Sequence, residues 1–187
     1  GVYYLRTSLL LTTKKSKIPM QKIDFIKAEL VTGRQWIDNV IRNLDESLWN
    51  VTPETMNTNV NWQIGHLIVG RYLANIGFVA GMDTPVETQF PLPEYMKHYA
   101  HTDPTVNFEE RPGKATLLSD LDIMEAAAGK VLDGMTDANL AEPAAAENPI
   151  SKDKGGIITW SVHHQFWHAG QLAMLRRVVA GKSIFED

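Results

Sequence analysis

Cysteine is absent from all 187 residues. That excludes disulfides, a thiolate nucleophile and any thiolate metal ligand, so a metal bound by this chain must sit on nitrogen and oxygen donors. The lack of cysteine is compatible with the cytoplasm, which is the expected compartment. Positive charge is also scarce. Eighteen Lys and Arg stand against 22 Asp and Glu, giving a net charge of -4. No basic run is interleaved with aromatics, and nucleic acid is not an expected partner. No apolar run is long enough to span a bilayer, so no membrane association is expected. The short run Leu9–Leu11 is followed by Lys14, Lys15 and Lys17, the reverse of a signal peptide's charge order.

Strand-like alternation is missing as well. Four stretches instead place apolar residues at three- and four-residue steps, the spacing of one helical face. The first runs from about Gln21 to Leu44, with Ile23, Ile26, Leu30, Gly33, Ile37 and Val40 on its stripe. The second, about Asn61 to Gly81, carries Trp62, His66, Val69, Leu73, Ile76 and Ala80. The third, about Lys114 to Met135, carries Leu117, Leu121, Met124, Ala128 and Val131. The fourth, about Ile157 to Ala180, carries Ser161, His164, His168, Gln171, Leu175 and Val178. Four such helices specify an all-α four-helix bundle. Its connections are long, and the Pro-rich one over 82–113 has room for a short helix around Glu94–Tyr99. Residues 1–20 are expected to be an N-terminal extension outside the core, and residues 21–187 the bundle itself.

The fourth stripe is polar at its centre, where a bundle should be apolar. Burying an imidazole without a partner costs about 1–3 kcal/mol. Three histidines facing one core therefore need a common explanation, and metal ligation supplies it. His164 and His168 are four apart, about one turn, and can converge on one ion. His66 is the histidine that occupies an inward stripe of another helix. Imidazole suits zinc, nickel, iron and copper, so donor type alone does not select the metal.

Other residues carry weaker signals. His163 lies about 100° round the helix from His164 and reads as a flanking or outer-sphere residue. Gln171 either orients a ligand or metal-bound water, or packs as an amide across the bundle; Ser161 has the same two readings. His98 and His101, in the Pro-rich connection, either line a site mouth or are exposed loop residues, and the second reading is the expectation. Arg176 and Arg177 complement a helix C-terminus, and Gly181 fits its stop. Gln165 follows His164, so this is not the His-Glu-x-x-His of zinc proteases and no base comes with the motif. Glu125, beside the third stripe, is the nearest carboxylate. Catalytic residues are not assignable from sequence.

Two segments, WSVHHQFWHAGQLAMLRRVVAGK (Trp160–Lys182) and NWQIGHLIVGRYL (Asn61–Leu73), resemble the last and second core helices of the DinB/YfiT-like superfamily. The resemblance covers about residues 21–181. It implies an up-down-down-up bundle, often dimeric, with His66, His164 and His168 as ligands to one divalent ion, nickel or zinc foremost. It further implies a metal-dependent hydrolase or a thiol-dependent S-transferase acting on a small molecule, with a low-molecular-weight thiol as co-substrate in the second case. The alternative is a non-catalytic metal-binding stress-response protein. A homodimer is expected on the resemblance alone.

Overall fold

The computed structural model describes residues 20–82, 84–106 and 108–186. The expected N-terminal extension lies almost wholly outside them. Helix α1 spans Lys22–Ile41, and the Ile23 N–H at its unsatisfied end donates to Asp137 Oδ1 at 2.9 Å. Helix α2, Val60–Tyr72, opens on Asn59, whose side-chain oxygen accepts from the Trp62 N–H. It continues through a wide π-helical turn, Leu73–Gly77, into Phe78–Ala80.

The 82–113 connection contains two short helices where the sequence suggested one: α3, Pro85–Gln89, and α4, Leu92–Tyr99. A Thr84/Glu87 capping box starts α3, a signal readable in the sequence. Helix α5 spans Lys114–Asp133 and α6 is the single turn Asp137–Leu140. The longest helix, α7, spans Lys154–Ala180, starts on the Asp153 side chain and stops at Gly181 in the left-handed conformation, φ 71°.

Helix α1 packs along α7, α7 against α2, and α2 against both α5 and α4. No described helix is long and apolar enough to cross a membrane. Two apolar clusters fill the interior. The larger surrounds α2 with Ile37, Ile64, Ile68, Tyr99, Leu117, Leu121 and Leu172. The smaller gathers Leu30, Ala74, Phe78, Leu132, Ile157 and Val162 towards the other end.

The four stripes are inward, with drifts at two ends: Ala80 is exposed at the end of the second stripe, and the fourth drifts at the end of α7. Val178 is exposed and Arg176 is buried instead, donating to the carbonyls of Val40 at 2.8 Å and Arg42 at 2.6 Å. Its role is to close the C-terminal end of α1, rather than to complement the end of its own helix. Across the other face, Arg34 reaches Asp122 and Lys27 reaches Asp133, both at 2.6 Å. Exposed bridges of this kind contribute at most about 1 kcal/mol each.

Candidate metal centre

Helices α2 and α7 meet closely because Gly70 has no side chain. A Cβ there would lie 2.8 Å from Cε1 of His164, so any larger residue would displace that ring. Across this contact His66 faces His164 and His168. His164 Nε2 is 3.2 Å from His66 Nε2 and 3.0 Å from His168 Nε2. Donors at 2.1 Å from one ion are about 3.0 Å apart at octahedral corners and about 3.4 Å apart at tetrahedral ones. The spacing therefore fits a first-row dication.

The tautomers sharpen the fit. His66 Nδ1 is 2.7 Å from the Tyr99 carbonyl, which can only accept, so Nδ1 carries the hydrogen and Nε2 is bare. His168 Nδ1 bonds Gln63 Oε1, and the Gln63 amide nitrogen donates to Thr58 Oγ1; with the amide so placed, His168 Nδ1 carries the hydrogen. The second Nε2 is bare too. His164 Nε2 can offer one hydrogen at most, so one of its two close contacts pairs lone pair with lone pair. A cation at the centre would remove that repulsion and could be held by His66, His164 and His168 together.

Burial reinforces neutrality. His164 is held well below the ordinary imidazole pKa, at about 3, chiefly by desolvation and then by His168, His66 and the nearby Arg71 cation. His168 is depressed to about 4 by desolvation and by His66, with Gln171 opposing. His66 is lowered by desolvation, against the opposing hydrogen bond of the Tyr99 carbonyl. Neutral imidazole is the metal-binding form.

Each ring also carries an indole. Trp62 stacks on His66 with centroids 4.6 Å apart, Trp160 on His164 at 4.5 Å, and Trp167 lies near-parallel to His168 at 6.2 Å. Trp160 and Trp167 are exposed, so the solvent side of the triad is bordered by aromatic surface.

Behind His164 lies a buried polar network. Arg71, 5% exposed, donates to Glu125 Oε1 from Nε at 3.0 Å and Nη2 at 2.9 Å, to Gln165 Oε1 at 2.6 Å, and to Asn75 Oδ1 at 2.9 Å. Ser161 accepts from Arg71 at 3.3 Å and donates to Asn75 at 2.7 Å. Three helices are joined by one guanidinium.

His66, His164 and His168, the three ligand candidates, come together with one ring nitrogen of each within 4.8 Å of the others. His163 points to solvent and is not in the cluster. Gln171 is half-buried beside His168, with its side-chain oxygen buried and unpartnered. Ser161 belongs to the Arg71 network rather than to a ligand. His98, expected in solvent, is 5% exposed: it lies on α4 with Glu94 at 3.6 Å and Glu110 at 3.9 Å. His101 is exposed as expected.

Sequence reasoning passed over Gln63, the Tyr99 carbonyl and Arg71. Gln63 lies three before His66, a helical neighbour spacing that could have found it. A backbone carbonyl from a distant short helix leaves no such trace. Tyr99 is seated by Gly65, where a Cβ would fall 2.3 Å from its ring, and by the bond from its hydroxyl to Asn61 Oδ1 at 3.0 Å.

No curated protein sequence matches the chain. Among solved structures it is similar to a conserved protein from Enterococcus faecalis, at 16% identity with a TM-score of 0.66, over 87% of this chain and 99% of that one. At that identity the likeness speaks for the fold alone. The family profile described as the DinB superfamily matches residues 29–172, which takes in all three histidines, all of α2 and α7 as far as Leu172. The chain belongs to the DinB superfamily.

Proposed function

We propose that this protein is a metal-dependent enzyme that holds one divalent ion, nickel or zinc, on His66, His164 and His168. It acts on a small molecule as a hydrolase or as a thiol-dependent S-transferase. The observation that carries the reading is the convergence of the His66 and His168 Nε2 atoms on that of His164, at 3.2 and 3.0 Å. A structural site is closed by a fourth protein ligand, whereas a catalytic one keeps a position open. Among the described residues the group that could hold an ion has three members, which favours the open arrangement.

A bound dication would supply Lewis acidity to whatever donor completes its shell. The chain's own residues do the rest. The Tyr99 carbonyl and Gln63 hold two rings in the ligating tautomer. Trp62 and Trp160 cover the faces of two imidazoles and limit water's access to them. The homodimer implied by the resemblance and the cytoplasmic setting suggested by the missing cysteine belong to the same proposal. Sedimentation of the pure protein tests the dimer.

The test of the site is a calorimetric titration of metal-free protein with nickel and with zinc. One ion per chain is expected. Alanine at position 66, 164 or 168 should weaken binding at least about 100-fold, and His163→Ala should leave it unchanged. A loaded structure with four protein ligands would sink the enzyme reading. Turnover of an electrophile by the loaded protein, measured with and without a small thiol, separates the two chemistries; a rate indifferent to thiol removes the transferase.

A further inference from the structure

Two of the three histidines have their outer nitrogens tied, and the third does not. His66 Nδ1 is held by the Tyr99 carbonyl and His168 Nδ1 by Gln63. Among the described residues nothing hydrogen-bonds His164 Nδ1. Ligating histidines almost always hand that second hydrogen to a carboxylate, a carbonyl or a water, which fixes the ring and raises its basicity.

Next to His164 is a cavity of about 10 Å³, lined by Arg71, Glu125, Ser161, His164 and Gln165 with Ile37, Leu67 and Leu121. That is close to the room one water needs, and such a water takes two to four polar partners. Two unused groups border it. Gln165, 2% exposed, has its side-chain nitrogen buried and unpartnered. Glu125 receives both Arg71 bonds on Oε1, which leaves Oε2 able to accept.

We propose that Glu125 is the outer carboxylate of the metal centre, joined to His164 through one buried water. The water accepts from His164 Nδ1 and from the Gln165 amide, and donates to Glu125 Oε2. Three bonds satisfy it, and the otherwise orphaned Gln165 donor is satisfied with it. Arg71 fixes the carboxylate by holding its other oxygen. Glu125 is thus a positioning residue, acting through His164 from a helix that contributes no ligand. It is also the carboxylate that the His-x-x-x-His motif does not itself supply.

The inference rests on the three-histidine reading, and two measurements keep their failures apart. Calorimetric zinc titration of wild type and Glu125→Gln should show about 10- to 100-fold weaker binding in the variant. In zinc-loaded, histidine-labelled wild type, the His164 Nδ1 hydrogen should give a slowly exchanging proton resonance with a cross-peak to water. In Glu125→Gln that resonance should shift upfield while those of His66 and His168 stay in place, a selectivity that general loosening of the bundle would not produce. If Glu125→Gln does not fold, the wild-type spectrum decides alone. Equal zinc affinity in a folded variant, or a His164 Nδ1 hydrogen without a water contact, overturns the proposal and leaves the metal centre standing. Wild type that binds no zinc or nickel overturns both.

Discussion

Helices α5 and α2 lie side by side, yet they are built on opposite plans. Helix α5 buries one line, Leu117, Leu121, Met124, Ala128 and Leu132, and gives most of its remaining surface to solvent. Helix α2 is enclosed on nearly every side by α4, α5 and α7, and buries Asn61, Gln63 and Arg71 along with its apolar residues. On α5 burial follows periodicity, and the residues inside are there to pack. On α2 burial is set by neighbours, and each polar residue inside has a named partner. Helix α5 holds the bundle together and turns one half-buried side chain, Glu125, towards Arg71; α2 carries the rest of the equipment.

If that division is right, the two helices should fail differently. The largest loss is expected from Arg71→Ala, which strands Glu125 Oε1 and Gln165 Oε1 around a buried gap and leaves Asn75 only its bond from Ser161. Urea unfolding should show about 3–5 kcal/mol of destabilisation. A loss below 1 kcal/mol would mean that the network is incidental. On α5, Met124→Ala should cost about 2–5 kcal/mol by leaving a cavity at a fully enclosed position, while zinc affinity measured on the folded fraction stays as in wild type. Reduced zinc affinity there would blur the contrast.

Smaller in free energy is Gln63→Ala, which frees the His168 ring. Zinc binding should weaken about 10-fold or more, and urea unfolding of the metal-free protein should show a loss of about 1–3 kcal/mol for the buried partners left unpaired.

The finest test is pH. The triad's folded pKa values lie below the ordinary 6.5, about 3 for His164 and about 4 for His168, so the unfolded chain takes up protons first on acidification. The contribution of these groups to metal-free stability should be complete above pH 6.5 and decline as pH falls towards 3 to 4. His164→Ala should flatten that slope; an unchanged slope would show that other groups set it.

The same contrast accounts for what could be read in advance. Helices α1 and α5 were legible because each has one wet face, and their stripes name their buried residues. The histidines were legible because polar residues on an apolar stripe stand out, and a four-residue step selects His164 over His163. Arg71 was hidden because it lies off the drawn stripe of a helix that has no wet side. His98 was misread because Pro-rich sequence around it suggested an open loop, whereas α4 folds back onto α2. The Tyr99 carbonyl was out of reach, since backbone atoms have no residue identity and their placement depends on long-range packing of α4.

The π-helical turn at Leu73–Gly77 sets a boundary inside α2. A turn of this kind accommodates one more residue than an α-helical turn, so everything after it is rephased by about 100°. The histidine-bearing half and the half that seats Phe78 and Val79 in the lower apolar cluster are thereby clocked independently. Deleting one residue from 73–77 would restore uniform pitch and leave both His66 and Phe78 facing as they do, because the wide turn absorbs that one residue, whereas straightening the turn with every residue kept would swing Phe78 out of its cluster. The helix works as two components on one shaft, and the chemistry at its upper end is free to diverge without renegotiating the core at its lower end.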